Sequence, residues 1–449
     1  MVHIHFRPVH LALVVCLLAL VAAAPAAANG AFPDEFNVFF PVGAPHRTLL
    51  AANFGMIVSE DDGATWRYAC EPWITQGSDV ALSPYSVNYY QVTVDMAVLA
   101  QSLHLTRSAD DACTWPQSSG SIDSGTVSDI FADPTDATFV VAIMVDSSGK
   151  SSIVASHDGG KTFDSPPIFP PTTDILIAVE IAKSNPQVIY TTSVSPNGSH
   201  PPLLWVTQNR GASWSSTNIA GEAANTQPRI IAIDPEDATV VYLRETGAQM
   251  DSIVIATGSG STFTTALSIT GQFAAFVRGS DRTLYAATGA AELYVHAATA
   301  TDPTVWTGPL PGPHFRCLGQ RPGTTRLYAC GDFQLDGFSL GYSDDGGKTF
   351  SKMMNFSDIL GPLTCAPVTS NCQAHWERIQ QVLGIGDGGT GGPPSDAGLG
   401  DSGTPDAGSQ TDAGTTPPPT RAKSGCSSAG AVFAIFLCMA GLLALRRVR

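Results

Sequence analysis

The sequence predicts an all-β fold, a seven-bladed β-propeller over residues 34–355, from three observations. One short pattern, Ser-x-Asp-x-Gly-x-Thr-aromatic, returns about every fifty residues; turn dipeptides and β-branched runs recur between its copies; Gly and Pro are plentiful while charge is sparse. The pattern stands as Ser59, Asp61, Gly63, Thr65 and Trp66, as Ser156, Asp158, Gly160, Thr162 and Phe163, and as Ser343, Asp345, Gly347, Thr349 and Phe350. Weaker copies fall between them: Ser108, Asp110, Thr114 and Trp115, with Ala112 in the glycine place, and Thr207, Asn209, Gly211, Ser213 and Trp214. Gly260, Thr262 and Phe263 form a fainter copy, and Trp306 alone marks the remaining unit. A fixed period of this length in a strand-rich chain is the mark of a propeller.

Composition agrees. Apolar residues make up 43% and charged residues 14%, with 43 Gly and 32 Pro, so the chain can bury a large core while turning often. A formal charge of −16 argues against a nucleic-acid partner, which would need a basic stripe to neutralise phosphates.

Taken in chain order, residues 1–28 read as a cleavable export signal: a weakly basic start, an apolar run from Leu11 to Val21, and small residues at Ala26 and Ala28. In each following unit an inner strand ends in a turn such as Ser83-Pro84, Asp133-Pro134, Asn185-Pro186 or Asp234-Pro235. A second strand follows, as in Val188–Thr192, Val240–Leu243 and Leu284–Ala286. The third runs into the aspartate pattern, whose aromatic opens the fourth, giving four short strands per unit. Residues 356–383 are expected to form a small cap, a disulfide loop and a helical phrase from His375 to Leu383 with Trp376, Ile379, Val382 and Leu383 on one side.

Residues 384–424, rich in Gly, Pro, Asp, Ser and Thr, hold too little apolar surface to offset the entropy of ordering, and read as a disordered stalk. Residues 425–449 follow, with an apolar stretch from Ala429 to Leu445 ahead of Arg446, Arg447 and Arg449, a hydrophobic helix and its cytoplasmic stop. The junction Gly425-Cys426-Ser427, set between the stalk and that tail, resembles the myxobacterial C-terminal sorting signal. The resemblance implies removal of the tail near Cys426 by a membrane sorting protease, display at the cell surface or outer membrane, and lipid attachment at Cys426. The alternative is an ordinary single-pass C-terminal anchor in the membrane.

Six cysteines lie between these ends: Cys70, Cys113, Cys317, Cys330, Cys365 and Cys372. An even number in an exported chain points to disulfides, and the expected pairs are Cys365 with Cys372 across a local loop, Cys317 with Cys330 between neighbouring strands, and Cys70 with Cys113 by elimination. No Cys-x-x-Cys or Cys/His spacing is present, so neither a metal nor another cofactor is expected.

The repeat resembles the Asp-box, or bacterial neuraminidase repeat, of sialidases, sortilin-type receptor domains, xyloglucan-cleaving hydrolases and photosystem assembly factors. In a tight turn the short Asp and Ser/Thr side chains can bond backbone amides, Gly admits a conformation other residues resist, and the aromatic tucks beneath. The resemblance implies a structural role for Asp61, Asp110, Asp158, Asn209 and Asp345 on the turn between third and fourth strands, away from the ligand face.

Function is therefore sought where inner strands converge on the central channel. Counting back from the turn that ends each inner strand brings Asp79 and Asp129 to one shared position, with Glu180, Arg229 and Arg316 just before it. Asp129 and Glu180 are the acid/base candidates; Asp79, Arg229 and Arg316 are ligand-binding candidates. A sialidase-like site needs three arginines for a substrate carboxylate, and a glucan hydrolase needs two carboxylates about 5 to 9 Å apart. The sialidase Phe/Tyr-Arg-Ile-Pro motif is missing from the mature N-terminus. Trp73, Tyr85, Tyr89, Tyr90 and Trp205 are candidates either to stack on sugars or to fill space between blades. These residues point to a surface-anchored, non-catalytic recognition module for an extracellular glycan or a surface or matrix protein. The alternatives are a glycoside hydrolase, sialidase-like or glucan-cleaving, and an assembly factor for an envelope complex.

Overall fold

The structure, a computed structural model, describes residues 35–76, 89–101, 104–219, 226–247 and 249–385. Seven inner strands, Glu35–Phe39, Tyr89–Val92, Gly125–Ala132, Ile175–Ile181, Gln227–Ile233, Phe273–Arg278 and Cys317–Gln320, each open one antiparallel blade. Blades 4 to 7 are four-stranded meanders in chain order. Blade 1 and blade 7 meet through their inner strands, with Phe40 packed on Tyr328 at a centroid distance of 4.4 Å, so the seven blades form a closed ring.

Apolar runs such as Val140–Ile143 are continuous rather than alternating because neighbouring blades cover both faces of each middle strand. The core is accordingly a set of slabs between blades. Phe139, Val141 and Ile143 of blade 3 meet Leu176, Val179 and Ile181 of blade 4, and Tyr242 and Ile253 of blade 5 meet Phe273 and Ala286 of blade 6. Ion pairs lock several of these seams: Arg47 with Asp111 at 2.6 Å, Arg210 with Asp133 at 2.7 Å, and Arg278 with Asp234 at 3.1 Å.

Blade 2 departs from four strands. Tyr89–Val92, Val98–Gln101 and Leu105–Ser108 form its sheet, and the fourth position carries only a bridge between Thr106 and Gln117. Pro116 sits there, and its missing N–H cannot serve a ladder.

The aspartate pattern is a turn that caps itself. Ser59 Oγ donates to Asp61 Oδ1 at 2.9 Å and accepts from Gly63 N at 2.8 Å, while Asp61 accepts from Thr65 N at 2.8 Å and from Thr65 Oγ1 at 2.7 Å. The serine and threonine bonds to the carboxylate recur around Asp110, Asp158 and Asp345, the glycine amide bond to the serine recurs at Gly160 and Gly347, and Asn209 substitutes with its amide oxygen. The Thr65 hydroxyl and amide hold the Asp61 carboxyl below its usual range. Trp66, Trp115 and Trp306 each donate Nε1 to the carbonyl three residues earlier, Gly63, Ala112 and Pro303, all at 3.0 Å. The blade 6 unit thus keeps the aromatic's bond after losing the aspartate pattern. Gly211 has φ +93°, and a Cβ there would lie 2.7 Å from Ile168 Cβ, an atom too close to the backbone to swing away. Gly211→Ala is expected to cost roughly 1 to 3 kcal/mol in urea unfolding, combining left-handed strain with that collision.

Beyond blade 7 the chain returns to blade 1. Ile359–Pro362 adds a parallel strand outside Trp66–Cys70, and the helix Ala366–Leu383 then buries Val368, Cys372, His375, Trp376 and Ile379. Trp376 packs on Tyr68 at 5.2 Å, and Tyr68 Oη donates to the Cys372 carbonyl at 3.2 Å. The helix is longer than the expected His375–Leu383, and Val382 is exposed rather than on the buried side.

Two of the expected disulfides are corrected. Cys317 does pair with Cys330, but Cys70 bonds Cys372 and Cys113 bonds Cys365. Cys365 is the N-cap of the helix and Cys372 lies two turns along it, about 10 Å away by helical rise, too far to bridge. Cys70 ends the outer strand of blade 1 and Cys113 lies in the aspartate turn of blade 2; each faces the returning segment instead of the other. Two bridges therefore clasp the end of the ring to blades 1 and 2.

Among the described residues no helix is long and apolar enough to cross a membrane. The expected export signal, stalk, Cys426 and apolar tail all lie outside the described residues.

Candidate functional site

A cavity of about 420 Å³ lies on the axis of the ring, and all seven inner strands contribute to its wall. Phe36 and Asn37 come from blade 1, Gln91 from blade 2, Asp129 from blade 3, Glu180 from blade 4, Arg229 from blade 5, Phe273 and Phe276 from blade 6, and Cys317 with the preceding Arg316 from blade 7. Asp129, Glu180, Arg229 and Arg316 are thus brought together, because each sits at a similar distance from the turn closing its own inner strand. Asp79 lies outside the described residues. Trp205 packs edge-on against Phe169 and donates Nε1 to Ser193 Oγ, and Trp73 donates to the Cys113 carbonyl, so both fill space between elements. Tyr85 and the side chains of Tyr89 and Tyr90 lie outside the described residues.

Inner strands of blades 3 to 6 each carry a register shift, which leaves one residue unpaired and frees its backbone groups. In blade 4 that residue is Ile177, and its carbonyl accepts from Arg229 Nη1 at 3.3 Å. Arg229 Nη2 reaches past blade 4 to donate to Asp129 Oδ1 at 2.9 Å, and Val179 N donates to Asp129 Oδ2 at 2.9 Å. One carboxylate therefore ties three consecutive blades, and both of its oxygens are held. Burial raises the Asp129 pKa, with the Arg229 charge opposing.

Glu180 has no such partner among these bonds. Burial pushes its carboxyl up to about 8, the Asp129 charge pushes the same way, and Arg229 and the Ile233 backbone oppose. It is half-buried in the cavity wall.

Arg244 also lines the cavity, and sequence reasoning missed it. It lies on the second strand of blade 5 directly across from Arg229, and its ion pair with Asp251 measures 2.7 Å. Asp251 Oδ2 in turn accepts from Phe273 N at 3.0 Å, fastening blade 5 to blade 6. The available signal was an Arg-Glu pair closing the otherwise apolar run Val240–Leu243. Arg316 pairs with Asp332 at 3.5 Å.

The exposures of these pairs decide what the cavity presents. Side-chain exposure is 34% for Arg229 against 9% for Asp129, 26% for Arg244 against 0% for Asp251, and 36% for Arg316 against 24% for Asp332. In each pair the guanidinium is more exposed to the cavity than its own carboxylate, Glu180 joins them in the wall, and Asn37, Gln91 and apolar side chains complete it.

No protein-family model matches the sequence, and no curated protein matches it. Among solved structures the chain is similar to an ancestral GH74 enzyme, with a TM-score of 0.51 and 14% identity over 72% of this chain and 46% of that one. It is likewise similar to the GH74 xyloglucanase from Xanthomonas campestris, with a TM-score of 0.51 and 15% identity over 71% and 53%. YCF48 from Cyanidioschyzon merolae aligns with a TM-score of 0.44 and 15% identity over 66% of this chain and 92% of that one. The chain spans about half the length of the two GH74 structures, and at these identities the likeness is one of fold.

Proposed function

We propose that this propeller is a non-catalytic recognition module that engages an acidic group of an extracellular glycan or surface protein in its axial cavity. The observation that carries the reading is the state of Asp129: its side chain is only 9% exposed, with one oxygen on Arg229 and the other on the Val179 amide, so it presents little of its carboxylate to a substrate as base or nucleophile. The more exposed arginines support the choice of an acidic group, since a guanidinium fork matches a carboxylate. Three disulfides support an oxidising, extracytoplasmic setting, and the export signal and C-terminal sorting signal read from the sequence would place the module at the cell surface.

One observation favours a glycoside hydrolase instead: a carboxyl that holds its proton near neutrality, as Glu180 does, is the state a general acid requires. The two readings separate when the purified protein is incubated with sialylated and neutral polysaccharides. No sugar is expected to be released, while acidic members are retained in affinity electrophoresis and Arg316→Ala weakens retention about tenfold, the worth of one charged contact near 1.4 kcal/mol. Sugar release abolished by Glu180→Gln would reverse the assignment and make the protein a hydrolase.

A further inference from the structure

Among the described residues, Glu180 is the one cavity carboxyl whose charge the structure leaves poorly compensated. Its neighbours can be named element by element. The inner strand of blade 3 presents Asp129, a like charge. The inner strand of blade 5 presents Arg229, whose guanidinium is already committed to Asp129 and the Ile177 carbonyl. The second strand of blade 5 and the start of blade 7 bring Arg244 and Arg316 to the same cavity, each paired with its own acid. On its own blade the residue across from Glu180 is Tyr190, whose hydroxyl is turned to the Ala238 carbonyl at 2.9 Å. Blade 6 lines the cavity with Phe273, Phe276 and alanines, which carry no charge.

We propose that Glu180 is a proton gate on the cavity: as a neutral acid it donates a hydrogen bond to an oxygen of the bound acidic ligand, and as a carboxylate it repels that ligand. The inference rests on the recognition reading above and adds its regulation. In the protonated state the O–H is one more donor in a cavity that already presents the guanidinium edges of Arg229, Arg244 and Arg316. Loss of the proton places a second negative charge beside Asp129 and toward the ligand. Burial and the Asp129 charge keep that proton in place up to about pH 8, so the gate is open at neutrality and closes in alkali.

The test uses the purified full-length protein and D-glucuronate, whose own carboxylate stays ionised throughout the range. Calorimetric titrations at half-unit steps from pH 6.5 to 9.5 should give a constant Kd up to about pH 8 and a rise of about tenfold per unit beyond, reaching roughly 30-fold at pH 9.5. Glu180→Gln keeps a donor but cannot ionise, and its curve should stay flat. A wild-type curve that is flat overturns the gate, as does a fall shared in full by Glu180→Gln, which would assign the titration to another group. A difference carbon-13 spectrum between wild type and Glu180→Gln reads the carboxyl itself. Titration in the ordinary carboxylate range overturns the gate while leaving the recognition reading intact. Absence of glucuronate binding even at pH 6.5 counts against acid recognition in this cavity and overturns both.

Discussion

Replacing Cys70 and Cys372 together by alanine is expected to lower stability by about 4 kcal/mol, and removing the Cys113–Cys365 bridge as well is expected to abolish cooperative folding. Loop length sets both effects. The two bridges join residues 302 and 252 apart in sequence, and either one alone closes nearly the whole propeller. With one in place, the other adds closure of a loop of about fifty residues, the difference between those separations, worth about 4 kcal/mol in the chain-entropy account. Losing both releases the full ring closure, roughly 5 kcal/mol more, and the sum approaches the whole stability of a typical domain. The Cys317–Cys330 bridge spans only 13 residues within one blade, and its removal is expected to cost about 3 kcal/mol. Urea unfolding of the three alanine variants checks the ranking. A Cys317/Cys330 variant less stable than the Cys70/Cys372 variant would show that the clasp does not set ring closure.

The second large effect runs toward greater stability. Glu180→Gln is expected to stabilise the fold at pH 7 by about 2 to 3 kcal/mol while leaving it unchanged near pH 4. The sign follows from the shift: the carboxyl titrates near its ordinary 4.5 when unfolded and at about 8 when folded. Below 4.5 both states hold the proton and the native state bears no penalty. Between 4.5 and 8 the unfolded chain releases it while the native state retains it, so stability falls by up to about 1.4 kcal/mol per pH unit, less what cavity water screens. Above 8 the difference is constant. Denaturant unfolding of wild type and variant from pH 4 to 9 should therefore give curves that diverge across that window and then run parallel. Coincident curves would mean that the Glu180 carboxyl titrates normally in the folded protein. A residue that costs stability where it sits is what a binding or switching role would retain.

The repeat made most of this architecture legible. Seven copies of one turn, however worn, gave the blade count, and even the blade 6 unit could be placed because Trp306 keeps its bond to the carbonyl three residues back. Glu180, Arg229 and Arg316 could be grouped because each stands the same distance from a readable turn, with Asp129 one place nearer to its own. Arg244 could not, since it reaches the cavity from a second strand, by pairing across from Arg229, and pairing partners are a property of register. The disulfide partners were hidden for a related reason. Cys365 and Cys372 look like neighbours in sequence, but the helix separates them, and nothing local says that the chain's last strand returns to the outside of blade 1. The double tether on Asp129 was equally out of reach, because it depends on a bulge in blade 4 and an arginine in blade 5 meeting at one point.

The clasp also sets an order of events during synthesis. A chain made N-terminus first exposes Cys70 and Cys113 long before Cys365 and Cys372 exist, so two early thiols must wait, unpaired and within reach of one another, while five further blades are translated. The wrong bond between them is the one that proximity along the chain favours. Native connectivity can form only after the first blades have folded well enough to hold those thiols apart and the last segment has docked on the first sheet. The finished bridges therefore require that the last segment has docked on the first sheet, and a chain stalled before that point would still carry unpaired thiols.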